Sequence, residues 1–248
     1  MPSTRVVFFR HAQSEFNARH LIQGQLDPPL DETGLEQVAL AAPRAAAAHD
    51  DAVAVFSSDL RRASVTGRAI ADALDLALIE DANLRERHLG DLQGLERASL
   101  ATSVPSAFKV WKSRDRNAAV PGGGESSAGV DARLSAFFQT VSTGNYAGKK
   151  IIAVTHGGVL GRLFAGGANR EEKRLCQMRR GVGNFAECVV DAYDDGTWRC
   201  HYSGWASGRI LKRRFRRTTS PDDEPERSPT RGTSQRALTI APSTLVVE

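Results

Sequence analysis

Apolar residues fall along this chain in two rhythms, short unbroken runs and longer stretches at helical spacing. Runs at 6–9 (Val-Val-Phe-Phe), 52–56, 76–79 and 150–155 are rich in β-branched and aromatic residues. Such runs predict strands, with 6–9 buried on both faces, as in a parallel sheet, and 150–155 strongly buried too. Between them the period lengthens. Thr33-Gly34-Leu35-Glu36 has the form of a capping box, and Leu35, Val38, Ala39 and Ala42 behind it predict a helix running to about Ala48. Ser57-Ser58-Asp59 offers N-cap chemistry to a helix with Leu60, Ala63, Thr66, Ile70 and Leu74 inward. Gly124-Glu125-Ser126 opens another, with Val130, Leu134, Phe137, Phe138 and Val141 as its stripe, and a short helix is predicted over 159–165. Segments 185–193 and 197–202 form a strand pair about Asp194-Asp195-Gly196, a hairpin turn sequence. Strands alternating with helices imply an α/β domain, a mostly parallel sheet with helices on both faces.

The polar stretches place the loops. Residues 18–31 carry Gly24 and the pair Pro28-Pro29, which no element interior tolerates. Residues 83–94 are charged and punctuated by glycine, and 99–120 read as a small helical excursion around Phe108 and Trp111, packed over the body. One catalytic domain is expected over 1–211. From Lys212 to Glu248, Pro, Ser, Thr, Arg and Asp dominate, and a disordered tail is expected.

Composition narrows the class. At 248 residues, 41% hydrophobic and 25% charged, the chain can bury one substantial soluble core. The net charge of +4 comes from one run, Lys212-Arg213-Arg214-Phe215-Arg216-Arg217, without which the chain would be close to neutral. The basic charge is therefore weak evidence for a nucleic-acid partner; the run reads first as a solvated helix end, with a nuclear-import-like patch or an anionic-surface contact as alternatives. Cys176, Cys188 and Cys200 are odd in number and lack CxxC spacing, fitting a reducing compartment. No stretch approaches the ~20 apolar residues of a membrane span. A cytoplasmic protein without membrane attachment is expected.

Two of the apolar runs end in a histidine. His11 follows the first and His156 the run at 150–155, while the run at 52–56 leads into Arg61-Arg62. Ligands of open α/β sheets bind at the carboxyl edges of strands. A site holding Arg10, Arg62, His11 and His156 would be strongly positive, and its cations would keep His11 neutral and nucleophilic. Guanidinium groups take phosphate oxygens bidentately, and backbone N–H groups of Gly157 or Gly158 at a helix start could assist. Glu86, in the charged loop, is a candidate proton donor to a leaving oxygen. Arginine beside the histidines opposes a divalent metal, and no carboxylate cluster has ligand spacing.

Five motifs in order then resemble one family. Arg10-His11-Ala12-Gln13-Ser14-Glu15-Phe16-Asn17 is similar to the R-H-G-x-[ST]-x-x-N motif of the histidine phosphatase, or phosphoglycerate-mutase-like, superfamily. Leu60-Arg61-Arg62-Ala63, Leu84-Arg85-Glu86-Arg87 with Gly90 and Gly94, Gly124-Glu125-Ser126, and Val154-Thr155-His156-Gly157-Gly158 resemble its later motifs. The departure is Ala12, where the motif usually has glycine. The resemblance implies a single-domain three-layer sandwich with a mixed, mostly parallel sheet. It also implies that His11 is phosphorylated in a covalent intermediate and that Arg10, Arg62 and His156 hold the phosphoryl group. Glu86 would be the acid/base, with Asn17, Ser14, Gln23, Gly24 and Gly157 at the substrate; no metal or cofactor is implied.

Gln23-Gly24-Gln25 and the short excursion between Gly94 and Gly124 favour a phosphatase, because a mutase must exclude water to return phosphate to its substrate. The expectation is a monomeric or homodimeric phosphomonoesterase acting on a small phosphorylated metabolite. Two alternatives stay open: a cofactor-dependent phosphoglycerate mutase, to which Glu86-Arg87-His88 is similar, and a non-catalytic binder of phosphorylated ligands.

Overall fold

The computed structural model describes residues 3–167 and 182–204. Strands β1 (Thr4–Arg10), β2 (Val55–Ser57), β3 (Leu78–Glu80), β4 (Lys150–Thr155), β5 (Glu187–Ala192) and β6 (Trp198–Gly204) form one sheet ordered β3-β2-β4-β1-β5-β6. The first four are parallel, and β5 and β6 run antiparallel at one edge. Helices α1 (Glu15–Ala18), α2 (Glu32–Ala48), α3 (Arg61–Ala73), α4 (Leu100–Ser103), α5 (Pro105–Lys112), α6 (Ser127–Ser142) and α7 (Gly157–Gly167), with three short 3₁₀ turns at Ala82–Leu84, Gly90–Leu92 and Gly144–Tyr146, complete the described elements. The result is the expected α/β sandwich. The expected tail at 212–248, with its basic run, and Cys176 lie outside the described residues.

Side chains alternate across a strand, so β1 feeds two cores. Val6 and Phe8 pack with Ile151 and Ala153 of β4 against Phe137, Phe138 and Val141 of α6 and Leu163 of α7. Val7 and Phe9 pack with Ile152 and Val154 against Val38 and Ala42 of α2 and Ile70 and Ala71 of α3. Burial on both faces explains the unbroken apolar runs of β1 and β4, whereas β3, at the sheet edge, is only partly buried. A third cluster, Ile22, Leu89, Leu92, Leu100, Ala107 and Val120 with Trp111 and Phe108, is the expected excursion folded over the domain.

Two expected helix starts are corrected. Helix α2 begins at Glu32, because Asp31 takes the cap and its carboxylate accepts the Gly34 N–H at 2.7 Å. Thr33 is thereby placed inside the helix, and Leu35 is 53% exposed instead of facing the core, where Val38, Ala42, Ala45 and Ala46 lie. Helix α3 has no side-chain cap. Ser57 and Ser58 are buried beneath it, and Asp59 pairs with Arg85 instead (Nε to Oδ1, 2.7 Å).

Candidate active site

Strands β1 and β4 are neighbours in register, Arg10 opposite Thr155. The next residue on each is therefore a histidine at the same rung of the carboxyl edge, and the His11 N–H donates to Thr155 O at 2.9 Å. Their rings lie with centroids 5.1 Å apart and both side chains are buried. Beside β4, β2 exits through Ser58, whose N–H donates to Val154 O, and α3 then brings Arg62 to the same edge, fully buried. Arg10, His11 and Arg62 open on a cavity of about 840 Å³ whose wall also includes Asn17, Gln23, Gly24, Glu86, Gly157 and Gly158, while His156 packs against His11 off that wall.

The hydrogen bonds fix what each group can do. His11 Nδ1 is 2.6 Å from the Ala12 carbonyl, which can only accept, so Nδ1 carries the proton and Nε2 keeps its lone pair. Burial, then Arg10 and Arg62, push the His11 pKa well below its usual value, and burial, then Arg62, do the same to His156. His156 Nε2 lies 2.9 Å from Ser58 Oγ, which already accepts the Leu60 N–H. The hydroxyl holds the ring at Nε2 and leaves the buried Nδ1 without a partner.

The arginines are held from behind with donors to spare. Arg62 gives one N–H each to Leu26 O (2.7 Å) and Gly24 O (2.8 Å), and Arg10 bonds the Val182 carbonyl. Both Nε atoms are buried and without partners. Burial lowers the Arg62 pKa to about 10, which still leaves it a cation at neutral pH. Buried donors without acceptors are costly; here both belong to guanidiniums on the wall of one cavity.

Glu86 is gripped by backbone. Its Oε1 accepts the Arg87 N–H and its Oε2 the Gly158 N–H, each at 2.8 Å. The Gly158 N–H is therefore spent on Glu86, not left for a phosphate as the helix start suggested. Gly157 lies beside the Arg10 guanidinium, where a Cβ would make only ordinary contact at 3.4 Å from Nε.

Ser14 stands apart from the expected substrate group. It is fully buried and off the cavity wall, its hydroxyl capping α1 and donating to Gln23 Oε1 at 2.8 Å. Ala12 fits where glycine was usual, its methyl buried in the core with α2 and α3 and its N–H on Thr66 Oγ1. Ser58 and Asn184 escaped the sequence reading. Asn184 donates to the His11 carbonyl (2.9 Å) and Asn17 Oδ1 (3.3 Å), which leaves the Asn17 amide nitrogen for the cavity. Nothing local marks Asn184, whereas Ser58 sits at a strand exit as His11 and His156 do. Arg87, Arg97, Arg162, Leu89 and Trp111 form the outer wall.

Comparison with known proteins fits this geometry. The family model for the histidine phosphatase superfamily (branch 1) matches residues 6–205. The chain is 37% identical over 162 residues to a metal-independent phosphoserine phosphatase of Arabidopsis thaliana, covering 65% of this chain and 67% of that protein. It is 32% identical over 203 residues to a probable phosphoglycerate mutase of Yersinia pestis, covering 81% and 89%. Among solved structures, mycobacterial glucosyl-3-phosphoglycerate phosphatase complexed with VO3 superposes with a TM-score of 0.66 at 28% identity, covering 82% of this chain and all of that one.

Proposed function

Because this chain belongs to the histidine phosphatase superfamily, we propose that it is a metal-independent phosphatase of small phosphate monoesters working through phospho-His11. One observation carries the reading: two buried imidazoles 5.1 Å apart, flanked by Arg10 and Arg62 with unpartnered Nε–H groups. The ester phosphate binds between the guanidiniums, beside the unpartnered His156 Nδ1. His11 Nε2 attacks phosphorus as the bond to the ester oxygen breaks, and Glu86 gives that oxygen a proton. Glu86, now the base, takes a proton from water as its oxygen attacks phosphorus and the N–P bond breaks, restoring His11 and freeing inorganic phosphate. Positioning and charge neutralisation carry most of such a transfer.

Arg87 and Arg97 add to the substrate class. Arg87 bonds only the Glu125 carbonyl and Ser127 hydroxyl, Arg97 lies over Trp111, and neither pairs with a carboxylate among the described residues. Two such cations on the cavity wall suit a leaving alcohol that carries a second anionic group.

The mutase reading keeps support from Glu86-Arg87-His88 and the Yersinia relative; the short cover made by α4 and α5 favours hydrolysis. A screen of phosphomonoesters with chelator present tests the choice. We expect phosphate release from monoesters and not diesters, with phosphoserine preferred to phosphoethanolamine, which lacks the carboxylate. Turnover that requires a bisphosphoglycerate primer, with the product phosphate still esterified, would establish the mutase instead.

A further inference from the structure

Gln93 does not line the cavity, yet its carboxamide sits beneath the turn that holds Arg62. Its Oε1 accepts the N–H of Gln25 at 2.8 Å and of Leu89 at 3.2 Å. Gly24 has φ +53°, and a Cβ built on it would stand 2.1 Å from that same oxygen. The carboxamide therefore lies flat against the turn at its one left-handed residue, where only glycine leaves room. The turn delivers two groups to the site. Its carbonyls Gly24 O and Leu26 O accept the two terminal nitrogens of Arg62, and the Gln25 Nε2 donates to the Glu86 carbonyl at 3.0 Å. One side chain thus supports the backbone behind both the phosphate clamp and the acid/base.

We infer that Gln93 is a positioning residue for the phosphate site, fixing the turn at 23–26 and through it the guanidinium of Arg62 and the backbone of Glu86. The physical need is specific. Arg62 is fully buried and keeps its remaining donors aimed at the ligand only while both carbonyls hold it. A turn that drifts by an ångström moves the clamp by as much, and misplacement on that scale costs about a hundredfold in rate. Other bonds hold the two ends of the turn, Ser14 Oγ to Gln23 Oε1 and the Arg61 N–H to Asp27 Oδ1, whereas Gln93 accepts the backbone N–H at its centre, on Gln25. What the position requires is an acceptor oxygen at the reach of a glutamine side chain.

This inference rests on the phosphatase reading for its kinetics but not for its binding test. Gln93→Met keeps length and volume and removes the acceptor; Gln93→Glu keeps it; Gln93→Asn withdraws it by one methylene and serves if the methionine variant fails to fold. The probes are inorganic phosphate, by calorimetry, and a phosphomonoester that the wild type hydrolyses. We expect Gln93→Met, or Gln93→Asn in its place, to bind phosphate about tenfold more weakly and to lose about ten- to a hundredfold in kcat/KM, while its far-ultraviolet spectrum is unchanged. Gln93→Glu should retain phosphate affinity within about threefold. Folded Gln93→Met with wild-type phosphate affinity overturns the inference, as does a glutamate variant as impaired as the methionine one. If the wild type hydrolyses nothing, the phosphatase reading fails while the phosphate titrations still decide the role of Gln93.

Discussion

Gly158 meets two demands that no side chain could meet together. Its N–H donates to Glu86 Oε2, and its α-carbon faces the same carboxylate so closely that an added Cβ would fall 2.3 Å from Oε1. In Gly158→Ala the helix itself would gain from alanine, so the damage should appear at the carboxylate and not in the fold. We expect kcat to drop by about ten- to a hundredfold with the melting temperature within a few degrees of wild type. Steady-state kinetics with thermal melting checks this, and an unchanged kcat would show that Glu86 has no part in the rate-limiting step. At this scale the sequence was most legible where a functional residue is fixed by its neighbours along the chain. Arg10, His11 and His156 end apolar runs, so their place at the sheet edge follows from the pattern. Ser58 stood at a strand exit too, but its hydroxyl read equally well as a helix cap. Asn184 reaches the site across 173 residues of sequence, to His11, and no local rhythm encodes that distance.

The elements are legible in type and less so in their ends. Strand runs with both faces buried differ sharply from their surroundings, and the residue pattern located every strand of the sheet. Helix starts depend on which of several adjacent polar residues wins the cap, a difference of about 1 kcal/mol that pattern alone does not resolve. Asp31 won over Thr33 in α2, and α3 began at Arg61 with no side-chain cap. The packing of α3 shows how tightly Arg62 is carried. Gly67, one turn on, lies against β2 and β3, where a Cβ would meet Ser57 Cβ at 2.8 Å and Leu78 Cδ1 at 3.1 Å. Gly67→Ala should therefore destabilise the protein by about 1–3 kcal/mol through overpacking, against a helical gain of less than about 1 kcal/mol. Urea denaturation measures the difference; a variant more stable than wild type would show that α3 can lift from the sheet without cost.

At the scale of the whole molecule, the free site is a store of unfavourable electrostatics that its ligand relieves. Five arginines line the cavity, Arg10, Arg62, Arg87, Arg97 and Arg162, against one carboxylate, Glu86, although Asp131 pairs with Arg162 from outside. Such a field steers anions inward and weakens with salt. It also sets a pH dependence. His11 and His156 resist protonation in the folded chain, while in the unfolded chain each takes a proton near its ordinary pKa of about 6.5. Below that value the unfolded state binds more protons, so stability is full above it and falls as pH drops, by up to about 1.4 kcal/mol per pH unit for each histidine. Urea midpoints between about pH 7.5 and 5.5 should fall steadily, and less steeply in His156→Asn. A flat profile would mean that both imidazoles titrate in the native state as they do in the unfolded chain, contrary to their burial beside Arg10 and Arg62.

The convergence of two imidazoles and two guanidiniums on one phosphoryl group is tested most directly by trapping that group. Mixing the enzyme with a phosphomonoester it hydrolyses, quenching in alkali within the first turnover and mapping the peptides by mass should find one phosphoryl group on His11. Arg62→Met should carry far less of it and His11→Ala none. Turnover with the phosphoryl group on another residue, or turnover that survives in His11→Ala, would contradict the account.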